Sequence, residues 1–175
     1  IRKANGFLIL DESFMDGTPD MSLRFNDCRD NVIVIRSFGK FFGLPGLRLG
    51  FVYGDNHYIN KVSSLVGPWP ISSSSLLIAR KAMLDTVWIS ATIADLRMKS
   101  IALSNLLCDQ KLKIVGDCYF FKTIEVDSAS QMHKALANHG IWTRIFNYNQ
   151  KWLRMGLTKN KFEFEYLANT IMDIL

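Results

Sequence analysis

An acid, a hydroxyl, an amine and a guanidinium fall within the first 50 residues at places where they could share one ligand. Asp11 follows the apolar run Phe7-Leu-Ile-Leu10, and Ser37 and Lys40 follow a second run, Val32-Ile-Val-Ile35. In a parallel sheet ligands bind beyond the carboxyl ends of the strands, so these side chains would meet at one edge if the two strands are neighbours. Taken alone, Asp11 and Glu12 would serve a turn equally well. Lys40 sits among Phe38, Phe41 and Phe42. It is expected to be partly desolvated there, which disfavours the charged form and makes the amine a candidate nucleophile. Arg48 follows past Gly43, Pro45 and Gly46, which permit a tight return of the chain. A serine hydroxyl with a guanidinium able to bind in a bidentate way is a phosphate clamp. One acid, one lysine and a phosphate clamp are the parts of a pyridoxal phosphate site.

The elements that must position these residues read as follows. Short apolar runs at 7–10, 32–35 and 49–53, without polar alternation, predict strands covered on both faces. A helix is expected over 56–65, a break at Gly67-Pro-Trp-Pro70, and a long breaker-poor stretch from Ser72 toward Gly116. Within it Ile89, Ile93, Leu96, Leu103 and Leu107 form one stripe of a long helix, the kind that bridges two lobes. Strands at 112–116 and 119–126, a helix at 128–138, strands at 141–145 and 152–156 and a last helix with Phe164, Leu167, Ile171 and Ile174 on one face describe a small α+β lobe. The expected domains are 1–85 and 86–175.

Two arginines of that lobe, Arg144 and Arg154, stand near strand ends and are candidates for a substrate anion, although surface positions would account for them as well. His57, His133 and His139 lack a partner pattern and read as surface residues; Trp69 and Phe42 read as packing residues.

With 175 residues, 49% of them apolar and 21% charged, the chain has the composition of a globular protein with a core. The net charge of +5 is spread along the chain, and the absence of a basic stripe argues against nucleic-acid binding. Cys28, Cys108 and Cys118 have no metal-site spacing, so no metal is expected, and their odd number fits a reducing compartment. The sequence shows no signal peptide and no membrane-spanning run, which predicts a cytoplasmic protein without a membrane partner. It begins with Ile1 and enters a strand-like run almost at once, as a fragment would.

Asp-Glu-x-Phe at 11–14, Ser-x-x-Lys at 37–40 and Arg48 resemble the cofactor motifs of the fold-type-I aminotransferases, in their order and spacing. The resemblance implies an α/β fold: the carboxyl-terminal part of a pyridoxal-phosphate-binding large domain, with a mostly parallel sheet and helices, followed by a small α+β carboxyl-terminal domain. It places Asp11 at the pyridine nitrogen, Lys40 in the covalent bond to pyridoxal 5'-phosphate, and Ser37 and Arg48 at the phosphate. Residues 36–44, Gly67-Pro-Trp69, Trp142-Thr-Arg-Ile-Phe146 and Trp152-Leu-Arg-Met-Gly156 are similar to the threonine-phosphate decarboxylase branch. That branch implies decarboxylation of L-threonine O-3-phosphate in cobalamin biosynthesis, with Arg154 on the substrate carboxylate, Arg144 on its phosphate, and a homodimer. The nearest competitor is histidinol-phosphate aminotransferase, which has tyrosine where this chain has Phe14. The similarity covers only the carboxyl-terminal half of such enzymes, so a truncated, catalytically silent remnant is the third reading.

Overall fold

The computed structural model describes residues 6–23 and 31–175; Cys28 lies outside them. The chain divides into two compact units, 1–92 and 93–175.

In the first unit β1 (Leu8–Asp11) pairs in parallel with β2 (Val32–Ser37), Asp11 standing opposite Ile35. The neighbours expected from the strand ends are therefore neighbours in space. The ladder continues one residue beyond β1, where the Glu12 amide donates to the Ile35 carbonyl at 2.9 Å. β3 (Gly50–Gly54) runs antiparallel to β2, with Gly50 opposite Ser37. Gly54 is required at its end: φ is 143°, and a Cβ there would lie 2.1 Å from the Val32 carbonyl oxygen. Val34 and Ile33 are buried, but Ile9 and Ile35 are 52% and 40% exposed, so the sheet is not covered along its whole length as the apolar runs predict. An apolar run reports what a strand can bury; what covers it must come from other elements.

Asp55 then caps α1 (Asn56–Val66), its carboxylate accepting from the His57 amide at 2.8 Å. After the predicted break at residues 67–70, Ser72 caps α2 (Ser73–Leu84). The breaker-poor stretch from Ser72 holds two helices, and the long one with the Ile89-to-Leu107 stripe is the second. The chain leaves the helix at Asp85, and α3 (Thr86–Asp109) starts afresh with the Asp85 carboxylate accepting from the Trp88 amide at 3.0 Å. Neither glycine nor proline marks the break; a carboxylate competing for backbone amides makes it. The division between the two units falls within α3, beyond this break.

The second unit is a four-stranded antiparallel sheet in the order β4-β5-β7-β6, formed by Lys113–Cys118, Phe121–Glu125, Asn149–Gly156 and Arg144–Phe146. β6 starts later than predicted and returns at once into β7, Phe146 facing Asn149. α4 (Ala129–Asn138) and α5 (Lys161–Ile174) supply Met132, Leu136, Leu167 and Ile171 to a core that also takes Leu103, Leu107, Ile124, Leu153 and Met155. Burying each such large side chain contributes about 1.5–3 kcal/mol. Lys122 enters this buried side, its ammonium bonded to Ser100 Oγ at 2.7 Å and to the Asp117 carboxylate. No helix among the described residues is long and apolar enough to cross a membrane.

Candidate active site

Ser13, Arg36, Ser37, Lys40 and Arg48 line one cleft of about 390 Å³ in the first unit. Three of the predicted cofactor residues, Ser37, Lys40 and Arg48, are thus brought together. The fourth, Asp11, joins them through Ser13: Asp11 Oδ1 accepts both the Ser13 hydroxyl at 2.5 Å and the Ser13 amide at 3.0 Å. Those two bonds, the hydroxyl foremost, hold the Asp11 carboxyl below its ordinary value against a small opposing effect of burial, and the charge of Lys40 adds to them.

Beyond β2 the chain turns tightly. The Leu44 amide donates to the Phe38 carbonyl at 3.0 Å and the Gly43 amide to the Lys40 carbonyl at 3.1 Å. This turn sends Phe38 and Phe41 into the interior, against Phe42, Phe51 and Trp88, and leaves Lys40 exposed. The expected packing of Lys40 among the phenylalanines is therefore corrected: its sequence neighbours point the other way, and its ammonium lies 5.4 Å from the ring centre of Phe14. Phe42 packs against Trp88 as expected, whereas Trp69 is 94% exposed and packs against little.

Ser37 Oγ accepts from the Gly39 amide at 3.1 Å, which leaves its hydroxyl proton available to the cleft. Arg48 closes a short turn at Pro45–Leu47 in the left-handed conformation, φ 49° and ψ 39°, with Nη1 3.3 Å from the Pro45 carbonyl oxygen. The left-handed conformation costs a residue with a Cβ, such as this arginine, about 1–2 kcal/mol. Arg48 lines the cleft with a cation, which a glycine at this left-handed position could not supply.

Behind the cleft Glu12 is buried and accepts from Ser22 Oγ, the Leu23 amide and Arg36 Nη1 at 3.2 Å, while Arg36 Nη2 bonds Asp16. Burial works against the Arg36 charge, but the bond and charge of Asp16, together with those of Tyr53, outweigh it and raise the guanidinium's pKa. Sequence reading took Glu12 for a turn residue and passed over Arg36 and Ser13. The cluster's signal in sequence is three acids within 11–16 and one arginine on the strand that pairs with them.

Arg144 and Arg154 belong to the second unit. They stand directly opposite each other on β6 and β7, and the Arg154 guanidinium carbon lies 4.6 Å above the Phe121 ring centre. Among the described residues no carboxylate comes within ion-pair distance of either. Of the histidines, His133 departs from the surface reading: its Nδ1 is 2.8 Å from Thr143 Oγ1 and its ring packs edge-on to Trp142. No group of His, Cys, Asp or Glu among the described residues could hold a metal ion.

The family model described as aminotransferase class I and II matches residues 1–171. The chain belongs to the class I and II aminotransferases. Among curated members of this family, threonine-phosphate decarboxylase of Sinorhizobium sp is 35% identical over 172 residues, 97% of this chain and 51% of that protein. Histidinol-phosphate aminotransferase of Hydrogenobaculum sp. is 30% identical over 179 residues, 99% of this chain and 50% of that protein. The chain therefore spans about half the length of the relatives it matches. Among solved structures of the fold, histidinol-phosphate aminotransferase from Sinorhizobium meliloti, in complex with pyridoxal-5'-phosphate, superposes with a TM-score of 0.76 at 20% identity. The match covers 97% of this chain and 50% of that one.

Proposed function

We propose that the protein of which this chain forms part is a pyridoxal-phosphate-dependent decarboxylase that converts L-threonine O-3-phosphate to (R)-1-aminopropan-2-yl phosphate and carbon dioxide in cobalamin biosynthesis. The observation that carries this reading is the 35% identity to a threonine-phosphate decarboxylase across nearly the whole chain. The residues of the cleft fit the cofactor by their chemistry. Arg48 and the Ser37 hydroxyl supply a cation and a donor for a phosphate, Lys40 an exposed amine for a covalent bond, and Asp11 an anion for a protonated ring nitrogen.

When bound, the cofactor withdraws the electron pair left behind by the bond broken at the substrate's α-carbon. Asp11, ionised, keeps the ring nitrogen protonated and so sustains that withdrawal. Arg154 binds the substrate carboxylate, the group to be lost, and Arg144 its phosphate; cationic forks suit both oxyanions. With carbon dioxide lost, the electron pair at the α-carbon would take up a proton, and Lys40, whose amine lines the cleft, would be its donor. This reading includes a cytoplasmic homodimer.

A second reading, amino transfer to a 2-oxo acid as in histidinol-phosphate aminotransferase, is favoured by the 30% identity to that enzyme. Addition of pyridoxal phosphate should give the visible absorbance band of a lysine-bound cofactor, and Lys40→Ala should abolish it; no band in the unsubstituted protein would overturn the cofactor reading. Carbon dioxide from O-phosphothreonine is then expected. Amino transfer from histidinol phosphate to 2-oxoglutarate without carbon dioxide would sink the decarboxylase assignment.

A further inference from the structure

Asp11 is exposed at the end of β1, so burial does not fix its orientation. An exposed carboxylate ordinarily rotates and shares its lone pairs with water. Here Oδ1 accepts two bonds from one residue, the Ser13 amide and the Ser13 hydroxyl, while Oδ2 takes no hydrogen bond among the described residues. The two oxygens are thereby made unequal. Ser13 itself lines the same cleft as Ser37, Lys40 and Arg48.

We infer that Ser13 is a positioning residue: it fixes Asp11 through Oδ1 and leaves Oδ2 as the anionic acceptor for a protonated ring nitrogen in the cleft. This rests on the cofactor reading above. A hydroxyl has one proton to donate, and Ser13 has committed it to Asp11, so Ser13 stands outside the phosphate clamp although it borders the same space. Its contribution is to the charge and direction of its neighbour. Hydrogen bonds to the ionised form favour that form, and the Ser13 hydroxyl is the foremost cause of the lowered carboxyl pKa. A protonated Asp11 would have to donate where the ring also needs to donate, and the ring would lose its proton.

The test uses the full 175-residue chain with Ser13→Ala and Ser13→Thr. In the protein without cofactor, the Asp11 carboxyl is titrated by carbon NMR. Its midpoint should move up toward the ordinary carboxylate value in Ser13→Ala and stay in place in Ser13→Thr, which keeps the hydroxyl. Titration with pyridoxal phosphate, followed by the visible band, should show affinity lowered about tenfold in Ser13→Ala and within about twofold of wild type in Ser13→Thr. If Ser13 only shapes the turn, thermal stability alone will change. A wild-type band with Ser13→Ala matching wild type in both midpoint and affinity overturns the Ser13 assignment and spares the cofactor reading. The absence of any band from the wild-type chain overturns the cofactor reading and the ring-facing part of this assignment with it.

Discussion

Arg48 couples a backbone strain to a charge, and two substitutions separate them. Its φ of 49° is a conformation in which glycine is at ease and a residue with a Cβ is not. Ser37 and Lys40 stand on ordinary backbone beside it. Arg48→Ala and Arg48→Gly both delete the guanidinium and its bond to the Pro45 carbonyl, but only the glycine variant relieves the strain. The glycine variant should therefore be the more stable of the two by about 1 kcal/mol, the cost of the left-handed region for an L-residue less the greater freedom of glycine in the unfolded chain. For a chain of this size that is a midpoint difference of roughly 2–4 °C. Both variants should bind pyridoxal phosphate about 10- to 100-fold more weakly, as loss of a charge-assisted phosphate contact predicts. Thermal unfolding of the cofactor-free proteins reads the first quantity and absorbance titration the second. If Arg48→Gly unfolds below Arg48→Ala, the strain argument is wrong; if either variant keeps wild-type affinity, Arg48 is no phosphate ligand.

Two further outcomes follow from the same geometry. Gly54→Ala should cost about 3 kcal/mol or more in urea unfolding, because its Cβ would overlap the Val32 carbonyl oxygen at a φ that β-carbons avoid; an effect below about 1 kcal/mol would mean that β2 and β3 separate freely. Asp55 accepts from the Asn31 and His57 amides, which hold its carboxyl below the ordinary value. Its folded pKa lies under its unfolded one, so its stabilisation is complete above the unfolded value of about 4 and is lost as pH falls through the folded value. Asp55→Asn keeps a cap but cannot titrate, and should flatten the acid limb of the stability curve; an unchanged limb would remove Asp55 from the account.

What was legible in the sequence was the meeting of strand ends. Asp11 and Ser37 could be placed together because two apolar runs stop just at them, and parallel pairing of β1 with β2 brings such ends to one edge. The exposure of Lys40 was not legible, since its aromatic neighbours in the chain are turned away from it by a reversal set through the carbonyls of Phe38 and Lys40. Asp85 hid a helix boundary because an aspartate inside a helical pattern looks like a surface residue until its carboxylate takes a backbone amide. Ser13 escaped for the opposite reason: a polar residue two positions after an aspartate is common in turns, and only the cleft on its other side gives it a role. The burial of Lys122 against a serine 22 residues earlier required the pairing of α3 with β5, which no local pattern announces.

The facing arginines of β6 and β7 make the hairpin sensitive to its solution. Two like charges placed opposite each other push their strands apart, by roughly 0.2–1 kcal/mol for an exposed cross-strand pair. Most surface charges in proteins lose attraction when salt is added; this pair loses repulsion. The hairpin should accordingly firm as ionic strength rises, and a single oxyanion seated between Arg144 and Arg154 would act as mortar between the strands. Occupancy of that place then registers in the backbone itself, as slower amide exchange along β7.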